Sequence, residues 1–314
     1  MTTPTTPIDH DWTCRRGARR ERVAITPRAD TASAVRDPAT AELLAALSEH
    51  RYRGFLTDIT RPESRHSLSA GYTEARCTVE GHLRDSGYTV TTAPVAVGEG
   101  LCHNVIAELP GTAADPGIVV VCAHLDSVNH EDGPTGPAPG ADDNASGSAG
   151  ALELAAVLAT RRWAHDLRVI LFGGEEQGLL GSLAYVKALT AAERDRVVGV
   201  INMDMIGRRN GPTAGVLIEG AEVSRELIEA LVVAGATWTP LAVSTSLQPF
   251  ASDHVPFIDA GLPAILTIEA DDSANTAVHT ASDTVDLLDT GLALDILRMN
   301  LAVLSDLLQV TQAD

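Results

Sequence analysis

The chain has 314 residues, and its 45% hydrophobic residues can form a sizeable core in one large α/β domain or two small ones. Its 42 acidic and 23 basic residues give a formal net charge of −19, which argues against nucleic acid or an anionic membrane as a partner. No apolar segment is long enough to span a membrane and the first thirty residues lack a secretory signal, so the default expectation is a cytoplasmic protein, with secretion left open.

The first part of the chain is predicted to be a tail followed by two helices and two strands. Residues 1–38 are polar and lack hydrophobic periodicity, which is typical of a disordered segment, so a single domain is expected over residues 39–314. The spacing of apolar residues predicts helices over 41–56 and 72–84. Strands are predicted over the two segments that follow, 88–97 and 104–109.

From residue 117 onward, predicted strands and helices alternate. Near-continuous apolar strands that alternate with helices are typical of a largely parallel sheet covered on both faces. In such sheets, functional side chains collect at the carboxyl ends of the strands. The predicted strands are 117–123, 167–172, 197–203, 216–219 and 263–268, and the predicted helices are 145–159, 181–189, 223–234 and 287–308.

The four cysteines, Cys14, Cys77, Cys102 and Cys122, form no CxxC pair and no dense disulfide framework. Cys122 lies within a predicted buried strand, which favours a core thiol over a metal ligand. The spacing leaves a Cys77–Cys102 disulfide open.

The stretch from Val119 to Gly147 combines a buried strand with several side chains that could bind a metal. His124 and Asp126 end the apolar run and lie on one side of an extended chain, a spacing that suits a metal-binding imidazole backed by a carboxylate. Two more acids, Asp142 and Asp143, follow just before a predicted helix. Taken alone, the stretch also fits an ordinary strand end and helix-capping residues.

Further acids and a histidine follow other predicted strands. Glu175 and Glu176 come after the strand RVILF, Asp204 follows VVGVINM, and His279 lies in the loop after PAILTIE. Together with His124 and the acids before the helix, they form a mixed set without a thiolate, which suits Zn²⁺, Mn²⁺ or Co²⁺. Five candidate ligands suit two metals bridged by one carboxylate. One glutamate could bind metal while its neighbour acts as a general base.

The remaining histidines differ in their sequence context. His254, in SDHVPF, is a further candidate ligand. No such context surrounds the others, which we expect to be surface or core residues: His10, His50, His66, His82, His103, His130 and His165.

The ordered blocks AHLDS, PGADDNASG, GGEEQGLLGS, NMDMIG, SDHVPF and AVHT resemble the M28 family of di-zinc aminopeptidases over roughly residues 53–308. The phrases RHSLSAGYTEAR and NVIAELPG are also similar to the opening of that family. The resemblance implies a three-layer α/β/α sandwich around a mixed, mostly parallel sheet, with two Zn²⁺ in a single metallopeptidase domain. It also implies that a metal-bridging water hydrolyses the N-terminal residue from a peptide or small aminoacyl substrate.

The resemblance assigns the metal ligands residue by residue. Asp143, and not the acid before it, bridges the two metals. Glu176 and His279 complete one site, and His124 and Asp204 complete the other.

The resemblance also assigns the neighbouring roles. Asp126 orients His124, and Glu175 is the base that takes a proton from the attacking water. His254 receives a supporting role beside the metal ligands. The peptide bond between Asp143 and Asn144 is expected to be cis.

The sequence departs from some relatives at the places that stabilise the oxyanion or anchor the substrate. Where relatives carry a Tyr or an Arg, this chain has Val278, Ala251 and residues such as Pro249 and Phe250. The oxyanion-stabilising group and the preferred N-terminal residue are therefore unassigned, and the sequence indicates no oligomeric state.

Two alternatives share the implied fold. A glutaminyl-peptide cyclotransferase would use one zinc and an aromatic residue before the last histidine, where this chain has Val278. A non-catalytic binding relative would have lost metal ligands, whereas all five are retained here.

Overall fold

A computed structural model describes residues 37–309. The predicted tail, residues 1–38, lies outside this range except for Asp37 and Pro38, which cap and begin the first helix. The helices are α1 (Pro38–Ala45), α2 (Glu49–Ile59), α3 (Ala70–Asp85), α4 (Gly147–Leu158), α5 (Leu180–Ala188), α6 (Ala191–Arg196), α7 (Arg225–Trp238), α8 (Val255–Asp259) and α9 (Thr290–Leu308). The strands are β1 (Thr89–Val97), β2 (Gly100–Leu109), β3 (Ile118–His124), β4 (Asp166–Phe172), β5 (Val197–Met203), β6 (Gly215–Gly220), β7 (Ala242–Ser246) and β8 (Ala264–Glu269).

The described strands form one sheet in the order β1-β2-β4-β3-β5-β8-β6-β7. The neighbours β3–β4, β3–β5, β5–β8 and β6–β7 are parallel, whereas β1–β2, β2–β4 and β6–β8 are antiparallel. The predicted mixed, mostly parallel sheet is therefore confirmed. Because β4, β3, β5 and β8 are adjacent and run in one direction, their carboxyl ends meet along a single edge.

Alternate residues of β3 show that helices cover both faces of this sheet. Val119 and Val121 belong to a core cluster that also contains buried residues of α2, α4 and α9. Ile118 and Val120 belong to a second cluster, which contains Tyr185 of α5 and Phe257 of α8. Successive side chains of a strand point to opposite faces, so these two clusters lie on opposite faces of the sheet, each between the sheet and one helical layer of the predicted α/β/α sandwich.

The single helix predicted over 41–56 is wrong, because the structure has two helices there. Ser48 separates them, and its side chain accepts a hydrogen bond from the Arg51 amide at the start of α2. The Ser48 amide in turn donates to the buried carboxylate of Glu153 in α4, at 2.6 Å. The break is therefore fixed by contacts 105 residues away in the sequence, which local helix spacing does not reveal.

Three elements of the structure were not predicted: α6, α8 and the edge strand β7. Strand β7 pairs only with β6 among the described strands, and its first three residues are half-buried or exposed. It therefore lacks the continuous apolar run that identifies the central strands.

The described cysteines, Cys77, Cys102 and Cys122, are free thiols, so the Cys77–Cys102 disulfide that the spacing left open is absent. Cys122 is buried within β3, as predicted. Cys14 lies outside the described residues. Among residues 37–309, no helix combines the length and the apolarity needed to span a membrane.

Candidate metal centre

The five predicted ligands meet at the sheet edge where β4, β3, β5 and β8 end. His124 is the last residue of β3, and Asp204 directly follows β5. Glu176 follows β4 by four residues, and His279 lies in the loop after β8. Asp143 comes from the turn Ala141–Ser146, immediately before α4, where its own backbone is non-helical.

The carboxylate of Asp143 lies between the two histidines. Its Oδ1 is 3.1 Å from Nε2 of His124, and its Oδ2 is 3.0 Å from Nε2 of His279. Burial alone would raise the pKa of Asp143, but hydrogen bonds from both imidazoles hold it well below its usual range. Asp143 therefore presents one oxygen to each of two different imidazoles.

Each histidine has further carboxylates around it. Nε2 of His279 is 3.1 Å from Oε2 of Glu176. Nε2 of His124 is 3.3 Å from Oδ1 of Asp204 and 3.9 Å from Oε2 of Glu175. Donor atoms of His124, Asp143 and Glu176 lie within 4.8 Å of one another, and so do those of His124, Glu175 and Asp204.

This donor set fits divalent metal ions. Several carboxylates that converge in a buried space repel one another unless cations neutralise them. The Oε1 atom of Glu176 is buried and has no hydrogen-bond partner among the described residues, as expected of an atom left for a ligand. Imidazole and carboxylate donors without thiolate suit Zn²⁺, Mn²⁺ or Co²⁺.

The backbone around Asp143 is held by side chains from distant segments. The carboxylate of Asp283 accepts hydrogen bonds from the amides of Asp142 and Asp143, each at 3.0 Å. The Asn144 side chain donates to the carbonyl of Met203 at 2.9 Å, which ties the turn to the end of β5. The expected cis peptide between Asp143 and Asn144 is confirmed.

Asp126 contacts both His124 and the segment that carries the two glutamates. Nδ1 of His124 is 3.2 Å from the Asp126 carbonyl oxygen and 3.6 Å from its carboxylate, so the carbonyl is the closer acceptor. The Asp126 carboxylate accepts hydrogen bonds from the amides of Glu175 and Glu176, each at 3.3 Å, and from Ser67 Oγ at 2.9 Å. One buried carboxylate therefore fixes the Glu175–Glu176 backbone relative to β3.

Burial raises the pKa of the Glu175 carboxyl well above its usual range, and the neighbouring carboxylates of Glu176 and Asp204 raise it further, against the lowering effect of His124. A carboxylate with a raised pKa is a stronger base than an exposed one. Glu175 thus has the environment of a general base.

A cavity of about 430 Å³ opens beside these residues. One part of its wall is apolar and includes Met205, Leu266 and Ile268, which form a small hydrophobic cluster with Val278. The other lining residues include the acidic residues and polar groups of the candidate centre, together with loop residues: His130, Asp143, Glu175, Glu176, Gly178, Leu179, Asp204, Phe250, Ala251, Ser252, Asp272 and His279.

Sequence reasoning missed His130, which was assigned to the surface or the core. Its ring lies 4.4 Å from the His279 ring, centroid to centroid, and its amide donates to the His279 carbonyl at 2.9 Å. His279 has a φ of 59°, a conformation that non-glycine residues rarely adopt, and these contacts support it. The only available sequence signal was that His130 lies in the loop between two ligand-bearing segments.

His254, the sixth candidate ligand, is fully buried, and its Nε2 is 3.7 Å from Oε1 of Glu219. It does not line the cavity. Ser252, two residues earlier in the same block, instead donates from Oγ to Oδ2 of Asp204 at 2.7 Å. The SDH block therefore contacts the candidate ligands through its serine.

Comparison with known proteins places this fold and sequence near aminopeptidases. The model of peptidase family M28 matches residues 104–304. The chain is 35% identical over 216 residues to leupeptin-inactivating enzyme 1 of Streptomyces exfoliatus, covering 67% of this chain and 45% of that protein. It is 34% identical over 200 residues to leucine aminopeptidase 1 of Arthroderma otae, covering 59% of this chain and 52% of that protein.

Solved structures show the same fold at lower identity. A zinc aminopeptidase from Bacillus subtilis superposes with a TM-score of 0.73 at 18% identity, covering 83% of this chain and 95% of that one. A glutaminyl cyclase from Fimbriiglobus ruber superposes with a TM-score of 0.69 at 20% identity, covering 82% and 94%. The matches to the two sequence relatives span about half of the relatives' length.

Proposed function

Because this chain belongs to peptidase family M28, we propose that it is a two-zinc aminopeptidase that removes the N-terminal residue from peptides. The observation that carries the proposal is the position of Asp143, whose two carboxylate oxygens face two different histidines. A carboxylate in this position is suited to be shared between two metal ions.

In the proposed centre, Asp143 is common to both metal positions. Glu176 and His279 would hold one ion, and His124 and Asp204 the other. When bound, the zinc ions would polarise the scissile carbonyl and make water a stronger nucleophile. The Asp126 carbonyl beside Nδ1 of His124 and the hydrogen bond from Ser252 to Asp204 would keep these two ligands oriented.

Glu175 is proposed as the general base that accepts a proton from the attacking water. It lines the cavity together with the candidate ligands, and its backbone is fixed by Asp126. The Glu175 carboxylate could also return this proton to the departing amine, because acid and base roles alternate along a hydrolysis.

We infer that the enzyme prefers substrates whose N-terminal residue is apolar over those whose N-terminal residue is acidic. Its apolar wall can bury a side chain such as that of leucine, at about 25 cal/mol per Å² of apolar surface removed from water. The loop residues Glu131 and Asp132 are exposed and do not line the cavity, whereas Asp272 does. This excess of carboxylates would attract a protonated α-amine and repel an acidic side chain.

A matched pair of peptides tests the direction of cleavage. We expect a leucyl peptide to be hydrolysed at least about 10²-fold faster than its N-acetylated form, because acetylation removes the charge that positions the first carbonyl. Both peptides are assayed at equal concentration with zinc present, and a glutamyl peptide is expected to be cleaved more slowly than the leucyl one. Comparable hydrolysis of the free and acetylated peptides would reject aminopeptidase activity.

Metal content tests the proposed centre independently of the substrate. We expect the reconstituted protein to bind two zinc ions per chain, since two histidines and two further carboxylates around a shared Asp143 are enough for two sites. The measurement is elemental analysis after dialysis against zinc. Saturation at a single zinc would favour the glutaminyl cyclase alternative, which should then be assayed directly.

A further inference from the structure

Arg65 is a fully buried arginine beside the candidate metal centre. Its guanidinium donates hydrogen bonds to three backbone carbonyls: from Nε to Leu125 at 2.8 Å, from Nη1 to Pro139 at 2.5 Å and from Nη2 to Gly140 at 2.8 Å. A buried charge is costly unless its hydrogen bonds are satisfied, and here each of its three nitrogens has an acceptor.

The three carbonyls belong to two of the segments that carry candidate ligands, those of His124 and Asp143. Leu125 stands between His124 and Asp126 at the end of β3. Pro139 and Gly140 directly precede the turn that presents Asp143. The fork of Arg65 therefore spans the gap between these two segments with hydrogen bonds from a single rigid group.

Ser127 extends the same connection. Its Oγ accepts from the Arg65 amide at 3.1 Å and donates to the Ala138 carbonyl at 2.8 Å, and its own amide donates to the Arg65 carbonyl at 3.3 Å. Gly140 adopts a φ of 49°, and a Cβ built there would lie 2.4 Å from the Asp143 carbonyl oxygen and 3.1 Å from Arg65 Nη2. The guanidinium is thus packed directly against the Asp143 turn.

We propose that Arg65 is a positioning residue for the metal centre, which holds the His124 and Asp143 segments at the separation that metal binding requires. The inference rests on the proposed function. Arg65 acts through the backbone on both sides of the shared carboxylate and contacts neither metal nor substrate.

The charge of Arg65 supports this role. Burial lowers the pKa of its guanidinium to about 10, and the carboxylates of Asp283, Asp126, Asp143 and Glu176 oppose that lowering. Arg65 is therefore a cation at neutral pH. It offsets part of the repulsion among the acids of the centre before a metal binds.

The test compares Arg65→Gln and Arg65→Lys with the wild type in the full chain. Zinc affinity is measured by competition with a chelator, at a temperature where each protein is folded by circular dichroism. We expect Arg65→Gln to lower the affinity about 10–100-fold, the usual effect of losing a group that supports a metal ligand. Arg65→Lys keeps the charge but not the three-nitrogen fork, so an intermediate loss is expected. Saturating zinc should restore most of kcat in both variants.

Arg51→Gln is the matched control. Arg51 also forks onto a buried partner, with Nε 2.7 Å and Nη2 2.6 Å from the carboxylate of Glu153, but it joins α2 to α4 and touches none of the candidate ligands. We expect this variant to lose thermal stability and to keep its zinc affinity within about twofold, as is usual for distant sites.

Wild-type zinc affinity in Arg65→Lys, or an equal loss of affinity in Arg51→Gln, would overturn the proposed role of Arg65. If Arg65→Gln does not fold, the Arg65→Lys and Ser127→Ala variants decide, because each weakens the connection while leaving the core volume nearly unchanged. A wild-type protein that binds no zinc would refute the proposed function instead.

Discussion

Replacing Glu175 with glutamine is expected to abolish peptide hydrolysis while zinc content stays at the wild-type level. Glutamine has nearly the same shape as glutamate but cannot accept a proton from water, and losing a general base typically costs about 10²–10⁴ in rate. The backbone of residue 175 is held by its amide hydrogen bond to Asp126, which the substitution leaves in place. The measurements are kcat for a leucyl peptide and zinc per chain in the same preparation.

Glu176→Gln is the control for this prediction, because it makes the same chemical change in the adjacent residue. Its carboxylate is 3.1 Å from the His279 imidazole, so its loss should lower zinc content as well as turnover. Loss of zinc in Glu175→Gln would contradict the assigned roles. Since Glu175 also lies among donors that could share a metal with His124 and Asp204, that result would identify Glu175 as a ligand.

Asp143→Asn is expected to remove both metal ions, whereas replacing any other proposed ligand should spare at least one. Asp143 faces His124 with one oxygen and His279 with the other. An amide is neutral and presents only one carbonyl oxygen as a ligand. Because losing a group that merely supports a ligand costs roughly 10–100-fold in metal affinity, losing the shared ligand should cost at least about 10²-fold at both sites.

The neighbouring acid provides a control in the same turn. Asp142 is also fully buried, but its carboxylate accepts from the Gly207 amide and from the Asn275 side chain, each at 2.9 Å. Burial, together with the nearby Asp283, raises the pKa of Asp142 to about 7, so its neutral form is accessible and asparagine is a mild change. We expect Asp142→Asn to bind two zinc ions. Metal loss in Asp142→Asn, with metal retained in Asp143→Asn, would show that Asp142 and not Asp143 is the shared ligand.

Comparing Asp142→Asn with Asp143→Asn also distinguishes the loss of a metal ligand from a disturbance of the local fold. Both residues lie in one turn before α4 and bond through their amides to the same Asp283 carboxylate. A general disturbance of this turn should therefore affect both variants alike, and only a role specific to Asp143 predicts different metal content.

The sequence by itself determined the order of the central elements and the five residues proposed as ligands. Buried strands such as β3 carry near-continuous apolar runs, and His124, Asp204 and the glutamates stand at or just after strand ends. Because parallel strands place their carboxyl ends at one edge of the sheet, residues far apart in the chain could be expected to meet there. Local pattern and strand direction were sufficient to predict that these residues meet, and the resemblance to the M28 family selected Asp143 over Asp142 and Glu176 over Glu175 as ligands.

Only the tertiary structure decided which atoms face one another and what surrounds them. Asp126 was expected to orient His124, and the structure adds that its carboxylate also accepts hydrogen bonds from the Glu175 and Glu176 amides, a contact across about fifty residues. The same holds for Arg65, whose local sequence gives no sign that it donates to carbonyls 60 to 75 residues away.

The cavity beside the candidate centre is another feature that only the tertiary structure decided. Phe250, Asp272 and His130 line it from three separate loops, and the edge strand β7 and the helix break at Ser48 likewise depend on distant partners. Loop conformation and side-chain direction depend on packing between segments that are distant in the sequence. Such packing leaves no periodic pattern of residues along the chain. The sequence could therefore name the residues of the candidate centre, and only the folded chain could supply their contacts.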